Sequence, residues 1–254
     1  MRRASWVSQK ITYRRPPQPR PYRREGAAVL GASSHVAVCD ADQAMPSNPL
    51  ITEHFAAGRL PEDLPLYLQV DYLREALVLN PVVEAVLALA AEMALPDWYL
   101  GAGGVSQTVW NLRHGFPAEE GIKDYDLVYF DPADLSEEAR EGVEREVASR
   151  LAMPEVVLDV HNEARVHLWY QQRFGRSIDA YRSTEHAIAT WPTTASSVGV
   201  RRQSDNFVVC APFGLSDLVG MVVRPNKAIV SQDVYEEKSQ RWQRRWPRLR
   251  IVPW

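Results

Sequence analysis

Hydrophobic residues recur with helical spacing along two neighbouring segments, residues 63–79 and 81–94. Asn80 and Pro81 separate the two segments. A residue before proline is displaced from α-helical geometry, whereas proline itself is favoured in the first turn of a helix. The pattern therefore predicts two consecutive helices ahead of the first strand.

Beyond these helices, short apolar runs alternate with segments of helical periodicity. Residues 97–102, 124–130 and 155–161 have the length and the branched or aromatic composition of strands. A hairpin that turns at residues 204–206 is predicted over residues 198–209. Helical patterns cover residues 105–114, 136–151, 163–174, 183–191 and 231–246. This order predicts an α/β or α+β fold built around a small central sheet.

The beginning of the chain differs in composition from the rest. Residues 1–24 contain eight basic residues, several prolines and no acidic residue, which leaves 21 basic and 32 acidic residues in the remainder. Such a segment, without apolar periodicity, is expected to be disordered. We therefore predict a disordered, basic, proline-rich extension over residues 1–50 and a folded, acidic domain over residues 60–254. The alternatives for the extension are a nucleic-acid-binding arm or a targeting peptide.

Several classes of protein are disfavoured by what the sequence contains. No run approaches 18 apolar residues, and Arg2 and Arg3 are not followed by an apolar segment typical of a secretory signal. Cys39 and Cys210 allow at most one disulfide and no thiolate metal cluster. The sequence thus predicts a cytoplasmic protein with no membrane partner.

Two carboxylates, Asp124 and Asp126, stand at the start of the predicted strand in GIKDYDLVYF, residues 121–130. Successive strand side chains point to opposite faces, so these two share a face and lie about 6 to 7 Å apart. In a partly dry site their repulsion would raise one pKa unless a cation neutralises them. A positive charge is therefore expected at this face.

A third carboxylate, Asp159, is isolated within the apolar run of residues 156–160. A charge in such a run is costly unless it is paired or binds a metal. Neighbouring strands lie about 4.8 Å apart, so Asp159 could complete a group of three carboxylates with Asp124 and Asp126. Ligand sets made only of oxygen select Mg²⁺ or Mn²⁺, and pairs of such ions recur in enzymes that move phosphoryl or nucleotidyl groups.

A glycine-rich segment, GAGG at residues 101–104, lies between a predicted strand and a predicted helix. Gly103 and Gly104 are predicted to form a tight turn in which the backbone can approach a ligand closely. The helix that follows presents unpaired N–H groups to an anion, and Ser106 could add a hydroxyl. These features predict a seat for the β and γ phosphates of a nucleoside triphosphate (NTP).

Two other phosphate-binding motifs do not fit. GAGGVS resembles the start of a dinucleotide fingerprint, but the acid at the right distance, Asp124, precedes an apolar strand instead of following one. The same order disfavours the Asp-x-Asp motif of glycosyltransferases. No Gly-Lys-Ser/Thr occurs, which excludes a P-loop.

The motifs together resemble the DNA polymerase beta-like nucleotidyltransferase superfamily. They are a strand, a Gly-Gly segment and a helix, then Asp-x-Asp opening a strand, then an acid on a later strand. More narrowly, GAGGVSQTVWN, GIKDYDLVYFD, LDVHNEARVHLWY and VRPN…YEEK…WP are similar to a bacterial nucleotidyltransferase family protein group, a former domain of unknown function. The resemblance covers residues 60–254. One departure is the interval of 19 residues between Gly104 and Asp124, which is longer than is usual in the superfamily.

The resemblance implies an α+β fold and a metal-dependent nucleotidyltransferase. Such an enzyme would move a nucleoside monophosphate from an NTP to an unidentified hydroxyl acceptor and release pyrophosphate. The residues at the motif positions are Gly103, Gly104, Asp124, Asp126 and Asp159. The alternative is a nucleotide-binding or interaction protein that keeps the fold without turnover.

Other polar residues allow two interpretations. Arg165, on the helix predicted after Asp159, could hold a phosphate or be structural. The tryptophans Trp242, Trp246 and Trp254 lie among arginines near the C-terminus and are predicted to anchor the last helix to the domain. Stacking of these tryptophans on nucleic acid is the less favoured interpretation. The sequence does not indicate an oligomeric state.

Overall fold

The computed structural model describes residues 10–13, 48–204 and 206–254 of the chain. Within them, six strands form one mixed sheet in the order β1-β6-β5-β2-β3-β4. The strands are β1 (Lys10–Tyr13), β2 (Tyr99–Gly101), β3 (Tyr125–Tyr129), β4 (Leu158–Asn162), β5 (Gly199–Gln203) and β6 (Asn206–Cys210). Strands β3 and β4 pair in parallel, and the other neighbours in this sheet are antiparallel. Two further strands, β7 (Val222–Val223) and β8 (Arg250–Ile251), form a separate parallel pair.

Helices flank the sheet and complete an α+β fold, which confirms the predicted fold class. The α-helices are α1 (Pro49–Ala56), α2 (Leu66–Val78), α3 (Pro81–Met93), α4 (Ala102–Arg113), α5 (Glu137–Leu151), α6 (Val166–Phe174), α7 (Thr184–Ile188), α8 (Ser216–Val219) and α9 (Gln232–Arg245). Single turns of 3₁₀ helix occupy Pro61–Asp63 and Glu163–Arg165. The helices and strands predicted from the sequence are all present, with boundaries that differ by at most three residues. The elements missed by the sequence pattern are β1, α1, α8, β7 and β8.

The two faces of the sheet are covered differently. Leu100, Leu127 and Val160 point to one face, where they join the large core formed with helices α2 to α5 and α9. Tyr99 and Val128 point to the other face and contribute to a much smaller apolar cluster. Because side chains alternate along a strand, polar residues between the core positions of β3 and β4 must lie on this second face.

The junction between α2 and α3 follows the predicted chemistry. Asn80 is extended, and its side chain accepts hydrogen bonds from the N–H groups of Val82 and Val83 at 3.0 and 3.2 Å. Pro81 occupies the first turn of α3. Within the described residues, no single helix is long and apolar enough to cross a membrane, although α2 and α3 pass such a test as a pair across their 102° bend.

Helix α9 is fastened to α4 by tryptophans. The ring of Trp110 contacts those of Trp242 and Trp246 edge-on, with centroids 5.1 and 5.6 Å apart. The indole N–H of Trp246 also donates to Asn111 Oδ1 at 2.9 Å. Trp242 and Trp246 are buried, which confirms that they anchor the last helix to the domain. The third predicted tryptophan, Trp254, is partly exposed and packs on Tyr235 of α9, with ring centroids 5.8 Å apart.

Four residues of the predicted disordered extension are instead part of the sheet. Lys10–Tyr13 forms strand β1 and pairs antiparallel with β6, from Lys10 opposite Cys210 to Tyr13 opposite Phe207. The backbone of β6 offers hydrogen-bonding groups on the side away from β5, and β1 satisfies them. The rest of the predicted extension up to residue 47 lies outside the described residues.

The close approach of α4 to β3 depends on a glycine. A Cβ atom at Gly104 would lie 2.7 Å from Cδ1 of Tyr125, which is buried and accepts a hydrogen bond from Asn80 Nδ2 at its hydroxyl. We expect Gly104→Ala to lower the free energy of unfolding by about 1 to 3 kcal/mol, because the ring cannot move aside. Urea denaturation measures this change.

Gly142→Ala is the matched control for this substitution. Gly142 lies in α5, and nothing is within 4 Å of the position of its added Cβ. The same chemical change should therefore stabilise the protein there, by up to about 1 kcal/mol from helix propensity alone. Equal stability of the two variants would contradict the tight packing of Gly104 against Tyr125.

Candidate functional site

Two of the predicted acids meet on neighbouring strands at one side of the sheet, Asp126 on β3 and Asp159 on the edge strand β4. In the parallel pairing of β3 and β4, Asp126 is directly opposite Asp159. Asp126 is also opposite Gly101 on its other side, in strand β2. Asp124 immediately precedes β3, is exposed, and acts electrostatically on Asp126. The strand register thus brings Asp126 and Asp159 together on the less covered face, with Asp124 two residues before Asp126. The assignment of the three acids as one site stays a prediction.

The surroundings of Asp126 disfavour the ionised form of its carboxyl group. Burial raises its pKa, and the nearby carboxylates of Asp124 and Asp159 raise it further, to about 6. Lys238 and His161 oppose this shift but do not cancel it. The repulsion expected from the spacing of the acids is therefore present in the folded protein, and a cation at this point would relieve it.

Asp159 is paired with a histidine two residues further along the same strand. His161 Nε2 lies 2.8 Å from Asp159 Oδ1, and this hydrogen bond lowers the pKa of Asp159. Burial alone would lower the pKa of His161, but the bond to Asp159 and the neighbouring acids outweigh burial and raise it. The pair consequently favours a charged histidine beside an ionised aspartate.

A fourth carboxyl group, that of Glu163, follows β4 directly and has His161 and Asp126 as charged neighbours. It is only 6% exposed, and burial raises its pKa to about 7, with Asp126 adding to the shift and His161 opposing it. The sequence pattern placed residue 163 in a helix and did not indicate that its carboxyl group is buried near Asp126 and His161. The available signal was the alternation of polar residues at positions 159, 161 and 163, which continues past the strand.

The raised pKa of Glu163 makes a testable contribution to stability. The folded protein disfavours the ionised form, whereas the ordinary pKa of a glutamate is 4.5. The contribution of this group to folding is therefore fully present below pH 4.5 and is lost as the pH rises to about 7. We expect Glu163→Gln to become more stable than the wild type across this interval, by about 1 to 3 kcal/mol at pH 8.

Urea denaturation between pH 4.5 and pH 8 tests this expectation. Glu53→Gln, which removes an exposed carboxylate of α1, controls for the change in net charge. A constant difference between Glu163→Gln and the wild type at every pH would show that burial of the carboxylate does not control the stability.

The glycine segment differs from the predicted tight turn. Helix α4 already begins at Ala102, with Gly101 as its N-terminal cap, so Gly103 and Gly104 occupy the first helical turn. This correction has a physical reason, because the close packing described above requires a glycine at position 104 inside the helix. The helix therefore starts earlier than the sequence pattern suggested, and the N–H of its first residue, Ala102, donates to the Val198 carbonyl at 3.2 Å.

The beginning of α4 points directly at the acids. The Gly103 N–H donates to Asp126 Oδ2 at 3.4 Å. A Cβ atom at Gly103 would lie 2.6 Å from the amide nitrogen of Gln107 and 3.8 Å from Asp126 Oδ2. Because Gly103 has no side chain, a ligand beside Asp126 could approach the backbone at the N-terminus of α4.

Two residues predicted for ligand binding are engaged in other contacts. The hydroxyl of Ser106 donates to the carbonyl of Ala102 at 2.9 Å. Arg165 Nε donates to the carbonyl of Leu135 at 2.7 Å, and its guanidinium pairs with Glu137 at 2.5 Å. Arg165 is 8% exposed and is held near the start of α5, so the structure does not bring it to the acids.

Lys238 is a site residue that sequence reasoning missed. Its ammonium group acts electrostatically on Asp126, and both Asp124 and Asp126 in turn influence its pKa. Sequence reasoning grouped Lys238 with the many charges of the last helix. The signal that distinguishes it is its helical spacing from Tyr235 and Trp242, two buried residues on one face of α9.

The oxygen donors of the site fit Mg²⁺ or Mn²⁺ by type. Their side chains do not form a ready-made cluster, since no group of three or more His, Cys, Asp or Glu residues within the described ranges is positioned to hold a metal ion. Asp159 Oδ1 is bonded to His161. The donor set thus fits a hard divalent cation in its chemistry.

The long interval between the glycines and the acids is occupied by α4 and an anchored loop. The side-chain amide of Asn111 donates to the carbonyls of Ala118 and Glu120 at 3.1 and 2.8 Å. Arg245 of α9 pairs with the Glu120 carboxylate at 2.8 Å. These bonds hold the loop against α4 and α9 just before the start of β3, where Asp124 and Asp126 lie.

The chain is similar to a known protein family and to solved structures. A family model described as nucleotidyltransferase matches residues 88–251. No curated protein matches the chain. A solved structure described as revealing a CCA-adding enzyme head domain is 24% identical, with a TM-score of 0.59, over 71% of this chain and 96% of that one. This likeness shows a shared fold.

A second solved structure is the Thermotoga maritima CCA-adding enzyme in complex with tRNA. It is 15% identical, with a TM-score of 0.45, and the match covers 71% of this chain and 42% of that one. The family match is the stronger finding, because it spans well over half of the chain and includes the start of α4, both acid-bearing strands and α9. On this basis the chain belongs to the nucleotidyltransferase family.

Proposed function

We propose that this protein transfers a nucleoside monophosphate from an NTP to a hydroxyl acceptor, with the help of divalent metal ions and with release of pyrophosphate. Family membership supports nucleotidyl transfer in general. The observation that carries the proposal is the position of Asp126, opposite Asp159 on a parallel strand and bonded to the N-terminal end of α4. Acids and an anion-binding helix start are thereby adjacent.

The start of α4 would bind the triphosphate. The N–H groups of its first turn carry partial positive charge, and Gly103 allows a phosphate to approach the backbone. In the structure the Gly103 N–H donates to Asp126. A bound phosphate oxygen would take over this donor, in the same way that a carboxylate oxygen accepts it now.

Asp124, Asp126 and Asp159 would hold the metal ions. When bound, Mg²⁺ or Mn²⁺ would neutralise charge on the triphosphate and on the leaving pyrophosphate. The raised pKa of Asp126 agrees with this assignment, because it shows an acid that lacks sufficient positive charge nearby.

In the transfer, the acceptor oxygen bonds to the α-phosphorus while the bond from that phosphorus to the oxygen bridging to the β-phosphate breaks. Pyrophosphate leaves with the electron pair of the broken bond. The hydroxyl proton passes to Oδ2 of Asp159, while Oδ1 remains bonded to His161. His161 would hold the carboxylate in a fixed orientation during this step.

Isotope labelling tests the proposal. Each NTP, labelled at the α- or the γ-phosphate, is incubated with Mg²⁺ or Mn²⁺ and with the protein itself, total RNA or small polyols as acceptors. We expect the α-label to enter an acceptor and the γ-label to leave as pyrophosphate, and both to be lost in Asp159→Asn. Nucleotide binding without transfer to any acceptor would favour a non-catalytic nucleotide-binding protein.

A further inference from the structure

Lys238 is a cation that faces the acids without contacting them directly. It is partly buried, and burial lowers its pKa, while Asp126 and Asp124 partly offset the effect. It makes no hydrogen bond or ion pair with any residue in the described part of the chain. Its ammonium lies 5.1 Å from the centre of the Trp242 ring. A partly desolvated ammonium without a hydrogen-bond acceptor is suited to an anionic ligand.

The packing of α9 on α4 places Lys238 near the helix start that would bind phosphate. Trp242 contacts Trp110, and Trp246 bonds to Asn111, one residue further along α4. Arg248, just after α9, donates to the carbonyl of Arg113 at the end of α4 at 2.6 Å, so the two helices progress in the same direction. Lys238 lies one turn before Trp242 and is thus level with the first turns of α4, where Gly103 is found.

Three other cations on the elements around the site are already engaged. Arg165 bonds to Leu135 and Glu137, and Arg245 bonds to Glu120. His161 bonds to Asp159. Lys238 therefore differs from these three neighbours in having an ammonium group that no acceptor in the described residues occupies.

We propose that Lys238 binds the β and γ phosphates of the NTP, and the pyrophosphate formed from them. This assignment rests on the proposed function and identifies a residue for the part of the substrate that leaves. The helix start supplies only partial charges, whereas the ammonium supplies a full positive charge. Before substrate binds, the same charge partly compensates Asp126 and Asp124.

Isothermal titration calorimetry in the presence of Mg²⁺ tests this role. The probes are a non-hydrolysable NTP, inorganic tripolyphosphate and a nucleoside monophosphate. For Lys238→Gln we expect about 10- to 100-fold weaker binding of the NTP analogue and of tripolyphosphate, as for a lost hydrogen bond between charged groups. Binding of the monophosphate should be unchanged, because it lacks the β and γ phosphates.

Arg244→Gln is the matched control, since Arg244 is exposed on α9 and the substitution removes the same charge. All three probes should bind to this variant as they bind to the wild type. Lys238→Met, which retains the alkyl chain against Trp242, serves as a second test variant, and circular dichroism shows that each variant is folded.

The possible results separate this inference from the function on which it rests. Equal tripolyphosphate affinity of the wild type, Lys238→Gln and Lys238→Met would overturn the assignment of Lys238 and leave the proposed function standing. Weaker binding of the monophosphate as well as the other probes would show a structural role and would also overturn the assignment. A wild-type protein that binds neither the NTP analogue nor tripolyphosphate would overturn both proposals.

Discussion

Asp126→Asn is expected to reduce nucleotidyl transfer by about 100- to 1,000-fold, because charge stabilisation by a metal ion is worth several kcal/mol in such reactions. Asp126 lies between the other acids and the start of α4, and it bonds to Gly103. An asparagine keeps the shape of the side chain but removes the negative charge that would hold the ions. The labelling assay described above measures the change.

The same substitution should preserve or increase stability, which separates lost chemistry from lost folding. The pKa of Asp126 is raised from 3.8 to about 6, so the folded state disfavours its ionised form. Its contribution to stability is therefore lost as the pH rises from 3.8 to about 6, and Asp126→Asn avoids this loss. At pH 7.5 we expect a gain of about 1 to 3 kcal/mol in the free energy of unfolding.

Asp63→Asn provides the matched control, since Asp63 is an exposed aspartate in the 3₁₀ turn Pro61–Asp63. It should change neither transfer nor its pH dependence. Transfer at the wild-type rate by Asp126→Asn would contradict the central role of this acid, whatever its effect on stability.

Long periodic segments explain why most of the fold could be predicted. Helices such as α3 and α5 carry many residues whose spacing agrees, so the pattern specifies them despite uncertain ends. Strands β7 and β8 have two residues each, too few to show alternation, and their pairing is decided by where α8 and α9 place them. Strand β1 forms only because the edge of β6 is available to it.

The site residues could be predicted where the sequence itself shows a charge whose burial would cost free energy. Asp159 stands out because an acid within an apolar run needs a compensating partner, and alternation fixes the face on which it lies. The partners of long, flexible side chains could not be predicted. The position of such a residue in a helix fixes the face on which it lies, but not the group that the end of its side chain contacts. Arg165 thus pairs with Glu137, while Lys238, one of many charged residues of α9, acts electrostatically on the acids without contacting them.

Asn80 illustrates a further limit, because its sequence context indicates a helix cap but not its wider role. It is completely buried, and besides capping α3 its side-chain amide donates to Thr108 Oγ1 at 2.8 Å and to the Tyr125 hydroxyl at 3.3 Å. Asn80 thereby connects α3 to α4 and to β3. These are the two elements that carry Gly103 and Asp126.

Asn80→Ala is expected to lower the free energy of unfolding by about 3 to 5 kcal/mol, the sum of a lost cap and several buried polar groups left without partners. Ser136→Ala is the control, because Ser136 caps α5 through a single bond to the Ala139 N–H and should cost only about 1 kcal/mol. Asn80→Asp keeps the acceptor for the start of α3 but loses the amide donor, so its loss should be intermediate. Urea denaturation of the three variants measures these differences.

The effect of Asn80→Ala should extend to the site even when the variant is folded. Without the amide, Thr108 and Tyr125 lose their common partner, and the start of α4 is no longer fixed relative to β3. Nucleotidyl transfer should therefore fall at temperatures at which circular dichroism still shows native structure, whereas Ser136→Ala should retain it. A loss of stability no greater than that of Ser136→Ala would contradict the view that Asn80 holds the phosphate-binding helix against the acids.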